Sequence, residues 1–222
     1  MKIASIDIGT NAIKSKIFKT TPTSIEFIEG MRSPIRLGSE VFNEGKLSQK
    51  KLDQVISTIK SYESIFQKNM EELYLLFIFL DLKLSESFLI MSIPLDIDRY
   101  EIVATSASRD SSNSEDARTY VETAINHPLR VISGLEEAQL IRFHPKSNTG
   151  KNKIFVVLGG GSTEFFLRDS TGIEIRSFQL GAVRNMLSKD KKEEWIRLEK
   201  WLETIKPRKK LIGIGGNIRS FL

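Results

Sequence analysis

The chain has 222 residues, a formal net charge of +5, a sequence pI of about 9.3 and 40% hydrophobic residues. This length suffices for one large domain or two small lobes, and we expect two lobes. Cysteine is absent and the two histidines lie far apart in sequence, which excludes a disulfide framework, thiolate chemistry and a local zinc site and favours the reducing cytoplasm. The basic balance favours anionic partners, but its densest run, KPRKK at 206–210, has no interleaved aromatic residue, so we expect a solvated connection and no nucleic-acid site.

The amino terminus, MKIASIDIGT, predicts a strand that enters a turn, and it lacks the long apolar core of a signal peptide. The strongest candidate for a membrane span is 73–95. Asp81, Lys83 and Glu86 interrupt that segment, and each would be costly at mid-bilayer depth. We therefore expect a cytoplasmic protein without a membrane partner.

One strand–turn–strand pattern occurs twice in the chain. SIDIGTNAIKSKIF at 5–18 aligns without a gap on FVVLGGGSTEFFLR at 155–168. In this register apolar residues and the leading glycines coincide, while Val157 takes the place of Asp7. The repeat indicates a duplicated architecture, and we expect its two glycine loops to lie close together across one cleft, each joining antiparallel strands.

Helix signals lie between and after these loops. Residues 47–72 predict an amphipathic helix with apolar positions Leu52, Val55, Ile56, Ile59, Ile65 and Phe66. SNSE at 112–115 and SGLE at 133–136 each match an S-x-x-E capping box and predict helix starts. A later helix over about 190–206 is expected to present to a core Trp195, Leu198, Leu202 and Ile205.

The two loops have the composition of phosphate-binding turns. Backbone N–H groups can approach phosphate oxygens closely at glycine, here Gly9, Gly159, Gly160 and Gly161. Short polar side chains follow those glycines, namely Thr10, Asn11, Ser162 and Thr163. The alternative is that the glycines only make tight hairpins.

Two adjacent glutamates compete for the role of catalytic base. Ser133 at the N-cap would engage Glu136, which leaves Glu137 rotated by about 100° and free to face the cleft. From the residues alone, an exposed helix carboxylate is the simpler interpretation of Glu137.

Arg109 follows a strand-like segment and precedes a helix start, where a strand end can present a side chain into a cleft. A guanidinium group there would bind phosphate bidentately. A salt bridge to Asp110 or Asp116 is the alternative.

Seven motifs in order carry a resemblance to a known family. They are DIGTN at 7–11, RLGSEV at 36–41, ATSASRD at 104–110, VISGLEEAQLI at 131–141, LGGGSTE at 158–164, LGAVR at 180–184 and GIGGNIRSF at 213–221. Along nearly its whole length the chain resembles the exopolyphosphatase and guanosine pentaphosphate phosphatase (Ppx/GppA) family of the actin-like ATPase superfamily. The resemblance implies an α/β fold of two actin-like (ribonuclease H-like) lobes, with mixed sheets and flanking helices around a cleft. We place the lobes at 1–131 and 132–222.

The resemblance also implies an activity. In that family the cleft hydrolyses terminal phosphates of polyphosphate or guanosine pentaphosphate with Mg²⁺. By analogy Glu137 is the base, Arg36 lies on a loop near the phosphates, and Asp7 and Glu164 help to hold the metal. The implied partners are polyphosphate or guanosine penta- or tetraphosphate, and a homodimer is left open.

Three departures from the family pattern affect this expectation. The family has an aspartate where Val157 stands, 73–95 resembles an apolar insertion, and the chain ends before the helices that usually complete the second lobe. A working phosphatase is therefore one interpretation. The others are a protein that binds the same anions without turnover, another actin-like nucleotide protein such as a kinase or filament former, and an inactive truncated product. ATSASRD and SGLEEA argue against the kinase or filament former.

Overall fold

The computed structural model describes residues 1–66, 96–143, 153–168, 172–206 and 210–219. These residues form two mixed β-sheets with flanking helices, as the sequence predicts. The expected insertion at 73–95, the last part of the helix predicted over 47–72, and most of the basic run at 206–210 lie outside the described residues. No helix in the described ranges is both long and apolar enough to cross a membrane.

The first sheet has five strands in the order β3-β2-β1-β4-β5. They are β1 (Lys2–Ile8), β2 (Ile13–Thr20), β3 (Ile25–Ser33), β4 (Arg99–Ala104) and β5 (Leu129–Val131). The first three strands form an antiparallel meander, and β4 runs parallel to β1 and β5. Alternation along β2 buries Ile13, Ser15 and Ile17 and turns Lys14 and Lys16 outward, as expected for a sheet with one covered face.

Among the described residues, four helices accompany the first sheet: α1 (Leu37–Glu44), α2 (Gln49–Phe66), α3 (Ser106–Asp110) and α4 (Ser114–Ile125). Helix α2 begins two residues after the predicted start, and Ser48 Oγ accepts a hydrogen bond from Lys51 N. Its predicted apolar face is buried or partly buried, and Tyr62 joins it.

The capping box predicted at 112–115 is wrong. Helix α4 begins at Ser114 after Asn113, and no side chain caps it. The Asn113 side chain instead clamps the backbone of Leu47, with Oδ1 accepting from Leu47 N and Nδ2 donating to Leu47 O, both at 2.9 Å. This long-range contact fixes the helix start and is invisible in a local motif.

The second sheet has four strands in the order β8-β7-β6-β9. They are β6 (Lys153–Leu158), β7 (Thr163–Arg168), β8 (Ile173–Phe178) and β9 (Lys210–Ile214). Strands β6 to β8 form an antiparallel meander and β9 runs parallel to β6, so this sheet repeats the connectivity of β1 to β4. The duplication predicted from the repeat is confirmed at the level of topology.

In the described part of the chain after β5, the α-helices are α5 (Gly134–Leu140), α6 (Ala182–Met186), α7 (Lys192–Thr204) and α8 (Gly216–Arg219). In α7 the predicted core face is partly wrong, because Trp195 and Leu202 are exposed and Trp201 is the buried residue. The Trp201 ring packs against Phe165 and Phe178, and its Nε1 donates to Glu174 at 2.7 Å. The aromatic contacts of Trp201 therefore set the rotation of this helix.

Candidate functional site

Two hairpin turns of the same shape meet at one cleft. Between β1 and β2, Gly9 N donates to Ala12 O at 3.1 Å; between β6 and β7, Gly159 N donates to Ser162 O at 2.9 Å. Both turns line a single cavity of about 390 Å³. The prediction that the two loops lie together and each join antiparallel strands is confirmed.

The two turns approach so closely that the second requires glycine. A Cβ at Gly160 would lie 2.8 Å from Thr10 Cβ, and one at Gly161 would overlap Ser106 Oγ and lie 2.7 Å from Phe42 Cζ. Thr10 and Ser106 share a hydrogen bond between their hydroxyl groups at 2.7 Å. The glycines therefore serve contact between the lobes as well as the turn itself.

The carbonyl groups of both turns are satisfied by the starts of following helices. Gly38 N in α1 donates to Thr10 O at 2.8 Å, and Val183 N in α6 donates to Gly160 O at 2.8 Å. Among the described residues, the N–H groups at positions 10, 11, 160 and 161 donate to no backbone acceptor. Turn N–H groups without an internal acceptor can bind an anion.

Glu137 faces this cleft, as predicted. Ser133 Oγ accepts from Glu136 N at 3.1 Å and Ser133 N donates to Glu136 Oε2 at 2.7 Å, which completes the predicted capping box of α5. Glu137 lines the cavity, and its buried Oε2 has no hydrogen-bond partner among the residues that the structure describes. The nearest cation is Arg109, whose Nη1 lies 3.9 Å from Glu137 Oε2.

Three carboxyl groups around the cleft have raised pKa values. Burial raises the pKa of Glu137, and the neighbouring charge of Glu164 raises it further, while Arg109 opposes the rise. Burial also raises the pKa of Glu164 and that of Asp7, and the charge of Lys14 opposes the rise at Asp7. A bound cation or proton would relieve this concentration of negative charge.

The predicted metal residues do not share one position. Asp7 lines the cavity, whereas Glu164 is fully buried behind it, with Oε1 accepting from Ser177 Oγ at 3.0 Å. Its Oε2 has no partner at hydrogen-bond distance among the described residues, although the Ser162 hydroxyl acts to lower the pKa of the group. Val157 lies directly opposite Glu164 in the β6/β7 register and lines the cavity with an apolar side chain. Within the described ranges, no three acidic or histidine side chains are placed to hold a metal ion.

Besides Glu164, four predicted site residues lie outside the cavity lining. Arg109 Nη1 donates to Ile132 O at 2.8 Å and its Nε lies 3.6 Å from Asp110 Oδ1, so the alternative of an ion pair with Asp110 is present. Thr163 Oγ1 donates to Leu180 O at 2.6 Å. Gly161 packs against the first lobe. Arg36 lines a separate cavity, and its backbone is in the left-handed region with φ of 57°.

Several residues that line the cavity were not singled out from the sequence. Lys14 follows from the strand pairing, because it lies directly opposite Asp7 in β2. Arg32, Ser106 and Asn217 also line the cavity, and Asn217 Nδ2 donates to Leu158 O at 3.0 Å. Asn217 lies in GIGGNIRSF, so that motif was a usable signal.

Arg184 is a further residue that sequence analysis missed. Its Nε donates to Gly161 O at 2.8 Å, its Nη2 pairs with Asp110, and its guanidinium carbon lies 4.0 Å from the centre of the Phe42 ring. Gly161 belongs to the second hairpin, whereas Asp110 and Phe42 belong to helices of the first lobe. Arg184 thus connects the second glycine loop to the first lobe and, through Asp110, to Arg109.

Comparison with known proteins agrees with this two-lobed arrangement. A model of the Ppx/GppA phosphatase family matches residues 88–216. An exopolyphosphatase from Cytophaga hutchinsonii is 21% identical with a TM-score of 0.74, covering 99% of this chain and 68% of that one. The Aquifex aeolicus member of the Ppx/GppA family is 23% identical with a TM-score of 0.65, covering 98% of this chain and 67% of that one.

A third similar structure is an exopolyphosphatase-like protein, 22% identical with a TM-score of 0.69, covering 98% of this chain and 66% of that one. The chain therefore spans about two thirds of the length of these structures. Their likeness confirms the predicted fold of two lobes with mixed sheets around a cleft.

Proposed function

The chain belongs to the Ppx/GppA phosphatase family, and we propose on this basis that it hydrolyses terminal phosphoanhydride bonds of inorganic polyphosphate or of guanosine pentaphosphate. The observation that carries the proposal is the single cleft, in which two glycine turns and Glu137 face one cavity. Such a cleft combines N–H donors for phosphate oxygens with a carboxylate that can activate water.

Glu137 is the proposed general base. Within the described ranges its buried Oε2 has no hydrogen-bond partner, and burial raises the pKa of Glu137 toward the range in which a carboxylate accepts a proton efficiently near neutral pH. Arg109, 3.9 Å away, opposes that rise and would keep part of the population ionised. A water molecule between Glu137 and the terminal phosphorus would lose its proton to Oε2.

Phosphate binding is assigned to the two turns and to the cations beside them. The turn N–H groups at positions 10, 11, 160 and 161 would donate to phosphate oxygens, with Lys14 supplying positive charge at the cavity wall. The Thr10–Ser106 hydrogen bond and the Arg184 contacts with Gly161 would hold the turns in place.

Magnesium fits the site as an ion shared with the substrate. Mg²⁺ is commonly held by one or two carboxylates together with substrate phosphates, and Asp7 on the cavity wall would supply one. Glu164, buried behind the wall, would contribute its charge from there. Burial raises the pKa of both groups. Lys14 opposes the rise at Asp7, and Ser162, Ser177 and Arg109 oppose it at Glu164, so a cation would compensate the part of the cost that remains. When bound, the ion would neutralise charge that develops on the transferred phosphoryl group.

The second candidate function is a protein that binds polyphosphate or guanosine tetraphosphate with weak or no turnover. Val157 favours it, because this residue lines the cavity directly opposite Glu164 and offers no oxygen to a metal. The phosphate donors of the turns are independent of Val157, so binding would survive better than catalysis.

Phosphate release from both substrates with Mg²⁺, measured alongside equilibrium binding of each, tests the proposal. Release that disappears in Glu137→Gln supports hydrolysis, and binding without release supports the second function. Neither binding nor release of either substrate would contradict both.

A further inference from the structure

Positive side chains continue outward from the cleft on the open face of the first sheet. Lys14 in β2 lies directly opposite Asp7 in β1, and Arg32 in β3 lies directly opposite Lys14. Directly opposed residues share a face, as do residues two apart in a strand, so Lys16 joins them. Lys14, Lys16 and Arg32, here called the cationic row, are all exposed, and the first and last of them line the cavity.

The cationic row breaks a rule of strand pairing. Like charges directly opposite each other destabilise a sheet, and Lys14 and Arg32 form such a pair. None of the three cations has a carboxylate within salt-bridge distance in the described part of the chain. Glu101, on the same face, pairs with Arg99 at 2.6 Å. Local conflicts of this kind are expected at functional sites, where a ligand supplies the missing charge.

The dimensions of the cationic row fit a linear polyanion. Neighbouring strands lie about 4.8 Å apart and residues two apart in a strand about 6.7 Å apart. Arg32 lies across the strands from Lys14 and Lys16 lies along the strand from it, so the three positions span about 8 Å at most, leading away from Asp7. A chain of consecutive phosphates carries negative charge along that whole length. A guanosine nucleotide would bring a base, yet among the described residues no aromatic side chain lines the cavity to stack on it.

We propose that the cationic row binds the distal phosphates of a linear inorganic polyphosphate whose terminal phosphate lies between the two glycine turns. This inference rests on the proposed function, because it takes the cleft as the place of the terminal phosphate. It adds a preference for long chains over short ones, and for inorganic polyphosphate over a guanosine nucleotide. The row is continuous with the cleft through Lys14 and Arg32, and Lys16 extends it beyond the cavity.

The test is charge reversal at the outer end of the row, Lys16→Glu, with Arg32→Gln as a second variant. Dissociation constants are measured for long-chain polyphosphate and for tripolyphosphate, with unfolding temperatures to verify folding. We expect Lys16→Glu to weaken long-chain binding at least about fivefold and tripolyphosphate binding less than about twofold. The matched control is Lys19→Glu in the same strand, outside the row and opposite Glu26, which should change neither constant.

Equal losses for both ligands, or no loss for either, would overturn the proposal. So would a wild-type protein that binds long chains no more tightly than tripolyphosphate. A single-stranded oligonucleotide is included as competitor, and if it displaces long-chain polyphosphate at equal phosphate concentration in a Lys16-dependent way, the row is a nucleic-acid surface instead. Lys16-dependent binding without phosphate release would contradict the proposed hydrolysis but support binding by the cationic row. Phosphate release from polyphosphate that is unaffected by Lys16→Glu would support the hydrolysis and contradict only the role of the cationic row.

Discussion

The two hairpins of the cleft have the same backbone and different chemistry. Each closes its turn with the same hydrogen bond and pairs its first strand with a later parallel strand. At equivalent positions, however, the first hairpin carries Asp7 opposite Lys14, whereas the second carries Val157 opposite Glu164. Lys14 is exposed and Glu164 is fully buried. Two copies of the same backbone can therefore differ in chemistry: one places charged side chains on the cleft wall, and the other places a buried carboxyl group behind that wall.

The turns differ for a steric reason. Thr10 occupies the space that a side chain at Gly160 would need, so only one of the two turns can carry side chains at this contact. The starts of the helices that follow are alike, because both carry a glycine: Gly38 lies against Thr10, and Gly181 lies against the backbone of Gly160. Close approach of the two copies thus depends on glycine in the second turn and at both helix starts.

The largest expected effect is at Glu137, which lies between the two hairpins. Glu137→Gln removes the proposed base and should lower turnover by about 10²- to 10⁴-fold while leaving polyphosphate affinity nearly unchanged. The measurement is steady-state phosphate release together with a binding isotherm. Glu136→Gln is the matched control, because glutamine can still accept from Ser133 N in the capping box, so this variant should change turnover and stability little. A greater loss of turnover in Glu136→Gln would contradict the assignment.

Making the second hairpin resemble the first should produce the next largest effect. Val157→Asp adds a carboxylate on the cavity wall opposite Glu164, and we expect turnover to rise by up to about 10²- to 10³-fold with tighter Mg²⁺ binding and equal substrate affinity. Val157→Asn, of similar shape without the charge, is the control. If a folded Val157→Asp variant still binds polyphosphate but its turnover is unchanged, the missing carboxylate at position 157 does not limit Mg²⁺-dependent turnover. That result would favour a binding-only role.

Breaking the connection between the hairpins should have a smaller effect. Arg184→Ala loses contacts with Gly161, Asp110 and Phe42, and we expect turnover to fall by about tenfold to a hundredfold because the second turn is no longer held against the first lobe. Arg197→Ala is the control, since Arg197 also lies over an aromatic ring and pairs with a glutamate, but within the second lobe. We expect added guanidinium ion to restore part of the Arg184→Ala activity, and no recovery would indicate a purely structural role.

Most features that depend on local or repeated patterns could be predicted from the sequence, although the local motif at 112–115 does not form the expected capping box. The hairpin repeat and the capping box of Glu136 are of this kind, and both have the expected form. Trp195 and Trp201 both suit helical spacing, so only contacts with another strand could decide which one is buried. Arg184 acts through contacts between the lobes, which no spacing along the chain reveals.

The smallest expected effect concerns the pH dependence of folding stability at Glu164, the buried counterpart of Lys14 in the second hairpin. Burial raises the pKa of Glu164 above its usual value of 4.5, so between that pH and its folded pKa the folded protein holds more protons than the unfolded chain. The stability contributed by this group is therefore complete at acid pH and is lost as the pH rises through the folded pKa.

Glu164→Gln should abolish that loss. We expect the variant to gain about 1 to 2 kcal/mol relative to wild type on going from pH 4.5 to pH 8 without Mg²⁺, since a buried oxygen lacking a partner no longer becomes charged. That corresponds to roughly 2–4 °C in unfolding temperature per kcal/mol for a chain of this size. Thermal unfolding at both pH values with a chelator present measures it, with Glu193→Gln on the exposed face of α7 as control. If the difference in unfolding temperature between Glu164→Gln and wild type stays constant across this pH range, Glu164 does not titrate there. The contrast between buried Glu164 and exposed Lys14 would then rest on packing alone.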